Sequence, residues 1–186
     1  TTMAINLEKG QRVNVNLPKF VVGLGWDANA STTGQDFDLD ASVFILGENK
    51  KILSDGHFVF YNNLVSPDGA VEHTGDNLTG AGDGDDESIK VDLSKINPQT
   101  VEICFVVTIH KAEERHQNFG QVRNSFVRIY NPDTKEEILK YELDEDFSIE
   151  TAVEFGRIYK RNNEWKFEAV GVGQKGGLQD YLTKYN

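Results

Sequence analysis

Apolar residues along this chain recur at every second position far more often than at helical spacing. Such alternation places successive side chains on opposite faces of a strand. It predicts strands over 11–17, 19–26, 38–46, 50–53, 57–63, 70–74, 88–93, 101–110, 125–131, 136–143, 153–160 and 164–170. Turn chemistry separates them, in "GENK", "SPDG", "NPDTKE" and "RNNE". Helical spacing is confined to two short places. One is "KAEERHQ" (111–117); the other is the C-terminal "GGLQDYLTKY", where Leu178, Tyr181, Leu182 and Tyr185 share a face. Many short strands with little crossover helix predict an all-β fold, a two-sheet antiparallel β-sandwich with one or two short helices. No repeat or linker divides the chain, so a single domain over 4–186 is expected.

One strand carries more than fold information. In "GQDFDLDASVFIL", alternation puts Asp36, Asp38 and Asp40 on one face and Phe37, Leu39, Ala41, Val43 and Ile45 on the other. Same-face neighbours lie roughly 7 Å apart, so three like charges repel while the apolar face anchors them near the core. A second acidic run, "GDNLTGAGDGDDE" (75–87), holds Asp76, Asp83, Asp85, Asp86 and Glu87 among four glycines and has no basic residue. The twelve positions from Gly75 to Asp86 form a long loop for a β domain, a length that often goes with function.

Charge composition sharpens this picture. The chain has 186 residues and a net charge of −11; between Leu24 and Glu87 there are thirteen acidic residues and two basic ones, Lys50 and Lys51. The remainder balances at seventeen of each sign. An acidic chain without a basic footprint is a poor fit to nucleic acid. The carboxylates instead call for a cation that the local sequence does not supply.

The donors choose the cation. With one cysteine and four dispersed histidines (His57, His73, His110, His116), zinc, copper and iron are disfavoured. Carboxylate, amide and carbonyl oxygens on glycine-containing loops suit calcium better than magnesium, which demands a stricter octahedron. The candidate ligands are Asp27, Asp36, Asp38, Asp40, Asn62, Asp76, Asn77, Asp83, Asp85, Asp86 and Glu87, holding two Ca2+ ions at one end of the sandwich. An EF-hand is excluded by register: the sixth loop position is Ala41 or Ser88 where glycine is required, and the twelfth is Gly47 or Ser94 where glutamate is required. His73 could stand behind the ligands, although a plain strand position is the simpler reading.

These residues carry a resemblance. "VGLGWD", "DFDLDASVF", "FVFYNN", "HTGDNLTGAGDGDDESI", "FVVTIH", "FGQVRNSFVRI" and "EWKFEAVG" together resemble the TerD family of bacterial tellurite-resistance and stress-response proteins. The resemblance implies a calcium-binding β-sandwich without established enzymatic activity. It also implies a cytoplasmic place, sometimes at the inner face of the membrane through partners. Asp27, Asp38, Asp40, Asp76, Asn77, Asp83, Asp85, Asp86 and Glu87 match the family pattern, and Asp36 matches it less securely.

Other features weigh less. Cys104 stands alone in "VEICFVVTI" and reads as core. No signal peptide or long apolar span is evident, which makes a soluble cytoplasmic protein the expectation. A metal-dependent hydrolase needs a nucleophile elbow that the Ser and Thr residues do not form. "GQVRNSF" reads as a turn or a partner groove, and "YKRNNEWK" as a hairpin turn with Trp165 at the surface. The expected function is therefore a calcium-dependent interaction module with protein partners in a stress-response complex. A calcium-stapled scaffold and, less favoured, a hydrolase are the alternatives.

Overall fold

The computed structural model describes residues 5–15, 17–25, 39–60, 62–74, 87–109, 126–134, 136–142, 151–174 and 178–185. These form two sheets. The first contains β1 (Ile5–Leu7), β3 (Lys19–Gly25), β6 (Val71–His73), β7 (Glu87–Asp92), β9 (Phe126–Tyr130) and β10 (Glu137–Glu142), in the order β1-β10-β9-β3-β7-β6. The second contains β2 (Arg12–Asn14), β4 (Leu39–Leu46), β5 (Phe58–Val59), β8 (Glu102–Ile109), β11 (Ala152–Arg161) and β12 (Glu164–Gln174), in the order β2-β12-β11-β8-β4-β5. The expected all-β sandwich is what forms. One pairing departs from the antiparallel expectation: β1 runs parallel to β10, with Ile5 opposite Leu139.

The main core lies between the sheets and includes Phe20, Val22, Val43, Ile45, Ile89, Val91, Phe105, Val107, Phe155 and Phe167. Strand β7 is buried at Glu87, Ile89 and Val91 and more open between them, as period-two alternation requires. Strands β4 and β8 behave differently. All of β8 is buried, because its outer face is covered as well. There Phe44, Leu46, Cys104 and Val106 pack under helix α1 (Leu178–Tyr185) through Tyr181 and Tyr185, with Leu182 partly buried beside them. Phe44, Phe58 and Phe60 extend this second layer as a stack with centroid spacings of 4.8 and 4.3 Å. The last carbonyls of α1 are satisfied from the turn after β4: Lys51 Nζ donates to Lys184 O and Ile52 N to Tyr185 O, each at 2.8 Å.

Two sequence expectations are corrected. Residues 50–53 make a turn, with Lys50 at φ 63° and only an isolated bridge from Ile52 to Leu46. Over 57–63, strand is limited to Phe58–Val59, preceded by a 3-10 turn at Asp55–His57. The 111–117 helix lies outside the described residues.

The β11–β12 hairpin forms as its sequence predicts, turning at Asn162 and Asn163 with φ 53° and 63°. Two successive left-handed residues define a type I′ turn, which follows strand twist and favours Asn and Gly. Trp165, however, is half-buried and packs against the core. We expect Asn162→Val to lower stability by about 1–2 kcal/mol, the cost of a branched left-handed residue, and Asn163→Gly to be neutral or stabilising. Urea denaturation of the two variants checks this; an undiminished midpoint in Asn162→Val would contradict it.

Candidate metal centre

Strand register brings the strand ends that flank the acidic segments to one end of the sandwich. In the first sheet Gly25 pairs with Phe126, Leu24 with Glu87, and Phe126 with Glu142. In the second, Leu39 pairs with Ile109 and Ala152 with Thr108. The chain therefore leaves and re-enters the described structure at this end for residues 26–38, 75–86, 110–125 and 143–150.

Eight of the expected ligands, Asp27, Asp36, Asp38, Asp76, Asn77, Asp83, Asp85 and Asp86, lie outside the described residues. The remaining three are placed. Asp40 is half-buried near the start of β4, with Oδ1 shielded from solvent. Glu87 opens β7 and is fully buried. Its Oε2 accepts a hydrogen bond from Ala41 N at 2.7 Å, joining the two sheets across 46 positions of sequence. Glu87 and the residue beside Asp40 are thus brought together. Asn62 is exposed in the turn between Phe60 and Asn63, and it is Asn63 that holds this turn, donating to Gly56 O and Phe58 O.

His73 ends β6, opposite Ile89 of β7. Its Nε2 lies 3.6 Å from Glu87 Oε1, and the two side chains are 1% and 0% exposed. His73 is a strand residue, as the simpler reading had it, and its ring lies beside Glu87. His57 is elsewhere, hydrogen-bonded through Nδ1 to Ser54 Oγ at 2.7 Å. Among the described residues no group of three or more His, Cys, Asp or Glu side chains is arranged to hold a metal. The expected ligand carboxylates placed at the acidic end are those of Asp40 and Glu87, and of the two Glu87 is already bonded to a main-chain N–H.

A second charged group lies on the outer face of the second sheet, toward its other end. Arg157 donates from Nε to Glu168 Oε1 at 2.7 Å and from Nη1 to Glu102 Oε1 at 2.9 Å, and Lys50 Nζ approaches Glu102 Oε2 at 3.3 Å. These residues, with Glu154, Lys51, Lys184 and Tyr185, line an open cleft of about 560 Å³. Glu154 Oε1 accepts from Tyr185 Oη at 2.6 Å. Cys104 is buried beneath, and burial together with Glu154 and Glu102 raises its thiol well above the ordinary value, which makes it inert core. Sequence reasoning missed this network; its one trace was charge at Glu102, Glu154 and Arg157 inside otherwise apolar strands.

The described residues define an all-β sandwich of two six-stranded sheets, with Asp40 and Glu87 placed at one end. Residues 3–185 match the TerD domain model, and the chain belongs to that family. It is 55% identical to general stress protein 16U of Bacillus subtilis (strain 168), over 98% of this chain and 97% of that one. It is 52% identical to tellurium resistance protein TerD of Serratia marcescens, over the same shares. The crystal structure of a homologue of telluride resistance protein (TerD) from Streptomyces coelicolor A3(2) superposes with a TM-score of 0.74 at 20% identity, covering 90% of this chain and 96% of that one. The family is one of tellurium resistance and stress response. No helix among the described residues is long and apolar enough to cross a membrane.

Proposed function

We propose that this protein is a calcium-binding member of the stress-response family, taking two ions at the acidic end and docking a protein partner in the loaded state. The observation that carries the reading is the placement, at one end of the sandwich, of Asp40 near the start of β4 and Glu87 at the start of β7, with Glu87 Oε2 bonded to Ala41 N at the strand ends that flank the acidic sequence segments. Asp40 is the placed residue best suited to hold an ion, with Asp27, Asp36, Asp38, Asn62, Asp76, Asn77, Asp83, Asp85 and Asp86 as the further oxygen donors. Bound calcium supplies positive charge that offsets carboxylate repulsion and turns a strongly negative surface into a nearly neutral one, which changes the partners able to approach. The role is one of binding, not catalysis, and its place is the cytoplasm, with membrane association only through partners. A purely structural calcium staple is the second reading, favoured by the direct joining of the two sheets at this end. A metal-dependent hydrolase has less behind it.

Calorimetric titration tests the proposal. Wild-type protein should bind calcium with roughly micromolar affinity, the sensor range, and magnesium much more weakly. Asp40→Asn should weaken calcium binding at least tenfold. Absence of binding heat up to millimolar calcium would overturn the proposal. Partner capture that is the same with calcium and with chelator would favour the staple.

A further inference from the structure

We infer that Glu87 is a positioning residue of the acidic end and not an ion ligand: its carboxylate braces the start of β4 against the opposite sheet, with His73 behind it. This rests on the calcium reading above and deepens it. By sequence, Glu87 closes the "GDGDDE" run and looks like one more ligand. Its strand position says otherwise. As the first residue of β7 it shares the inward face with Ile89 and Val91, so its side chain enters the space between the sheets.

The group it meets there has a reason to need it. Along β4, alternate main-chain groups face opposite neighbours. Ile45 O accepts from Leu53 N, on the β5 side. Ala41, four residues earlier, presents its N–H to that same side. Among the described residues, strand β5 pairs only with Val43 and Phe44, through Val59 and Phe58. The Ala41 N–H therefore lies beyond the end of the β5 ladder in a buried position, where a main-chain donor requires an acceptor. Glu87 Oε2 supplies it at 2.7 Å.

The other oxygen, Oε1, faces the His73 ring at 3.6 Å, and both side chains are closed off from solvent. One oxygen is thus committed to the main chain, and an imidazole occupies one approach to the other. A carboxylate so engaged holds a strand in place. What it holds is the residue after Asp40, so the brace sets where the Asp40 carboxylate sits relative to the loops.

Amide substitution separates the two roles, because glutamine keeps the acceptor for Ala41 N–H and discards the charge that a calcium ligand needs. Calcium calorimetry on the full chain should give Glu87→Gln an affinity within about threefold of wild type. Asp40→Asn and Glu87→Ala should each lose tenfold or more. Hydrogen exchange of the Ala41 amide in chelator should stay slow in wild type and Glu87→Gln and become fast in Glu87→Ala. If Glu87→Ala does not fold, Glu87→Gln still decides. A Glu87→Gln loss equal to that of Asp40→Asn would make Glu87 a ligand and overturn the inference, as would equally slow Ala41 exchange in wild type and Glu87→Ala. Wild-type protein that takes up no calcium overturns the calcium reading itself, and the ion-positioning role with it. Ala41 exchange then still reports whether the brace exists.

Discussion

Millimolar calcium is expected to raise the melting temperature of this protein by on the order of 10 °C over the chelated form. An ion that binds the native state alone stabilises it by mass action, and one micromolar site at a thousandfold excess contributes about 4 kcal/mol. For a chain of this size each kcal/mol moves the midpoint by roughly 2–4 °C. The charge distribution argues for a shift at least this large. Thirteen acidic residues against two basic ones lie between Leu24 and Glu87, and folding gathers the ends of their segments in one place. The metal-free protein keeps that repulsion; the loaded one does not. Asp38→Asn or Asp40→Asn should accordingly lower the calcium-loaded midpoint while leaving the chelated one unchanged or higher. Calorimetric melts with calcium, with magnesium and with chelator check all of this. Superimposable calcium and chelator melts would leave no place for a structural or regulatory ion.

How much of this was legible in the sequence depends on the range of the interaction. Alternation located most strands to within a few residues, because side-chain period is a local property. It failed for β1, where three residues are fixed by parallel pairing to Leu139–Tyr141 at the far end of the chain. It also overextended 50–53, where the left-handed backbone of Lys50 turns the chain toward α1. The helical spacing of Tyr181, Leu182 and Tyr185 was legible, but that this face seals the outer side of β4 and β8 was not. That depends on Phe44 and Cys104 lying under it.

The acidic end divides in the same way. Segregation of charge could be counted from the sequence, and it picked out segments whose flanking strand ends lie at one end of the sandwich. The work of a particular carboxylate could not be read so easily. Asp68 belongs to the acid-rich third yet is spent on a turn, accepting from Ser66 Oγ, Ala70 N and Asn97 N. Burial pushes its carboxyl up, and these three bonds more than offset that and hold it below the ordinary range. Glu87 ends the most ligand-like motif in the chain, but its partner is a main-chain N–H on the other sheet. No pattern of residue types marks such a partner.

The second large effect is expected far from this end, at Arg157. Its guanidinium bridges Glu102 and Glu168 on the outer face of the second sheet and lies 4.4 Å from the Tyr159 ring centroid. The Glu102 and Glu168 side chains are only 8% and 16% exposed, so removing the cation leaves two largely buried carboxylates with only the more exposed Lys50 and Arg12 beside them. Breaking such a group costs about 3 kcal/mol or more, and Arg157→Ala should melt roughly 6–12 °C lower at neutral pH. Arg157→Lys should recover only part, since one ammonium cannot reproduce the planar fork that serves both acids. Acid supplies the signature. Burial pushes the Glu102 carboxyl up, but Arg157 and Lys50 together hold it below its ordinary value of 4.5. Its contribution to stability is thus present above that ordinary value and lost as pH falls through the lower, folded-state one. The gap between wild type and Arg157→Ala should be widest near neutrality and narrow below about pH 4.5, where Glu102 takes up a proton. Urea denaturation of both proteins from pH 7 to pH 4 measures that gap. A gap that did not change with pH would mean that Arg157 acts through packing on Tyr159 and not through its charges. Calcium affinity should be the same in both proteins, because this network sits toward the opposite end of the sheet from Asp40.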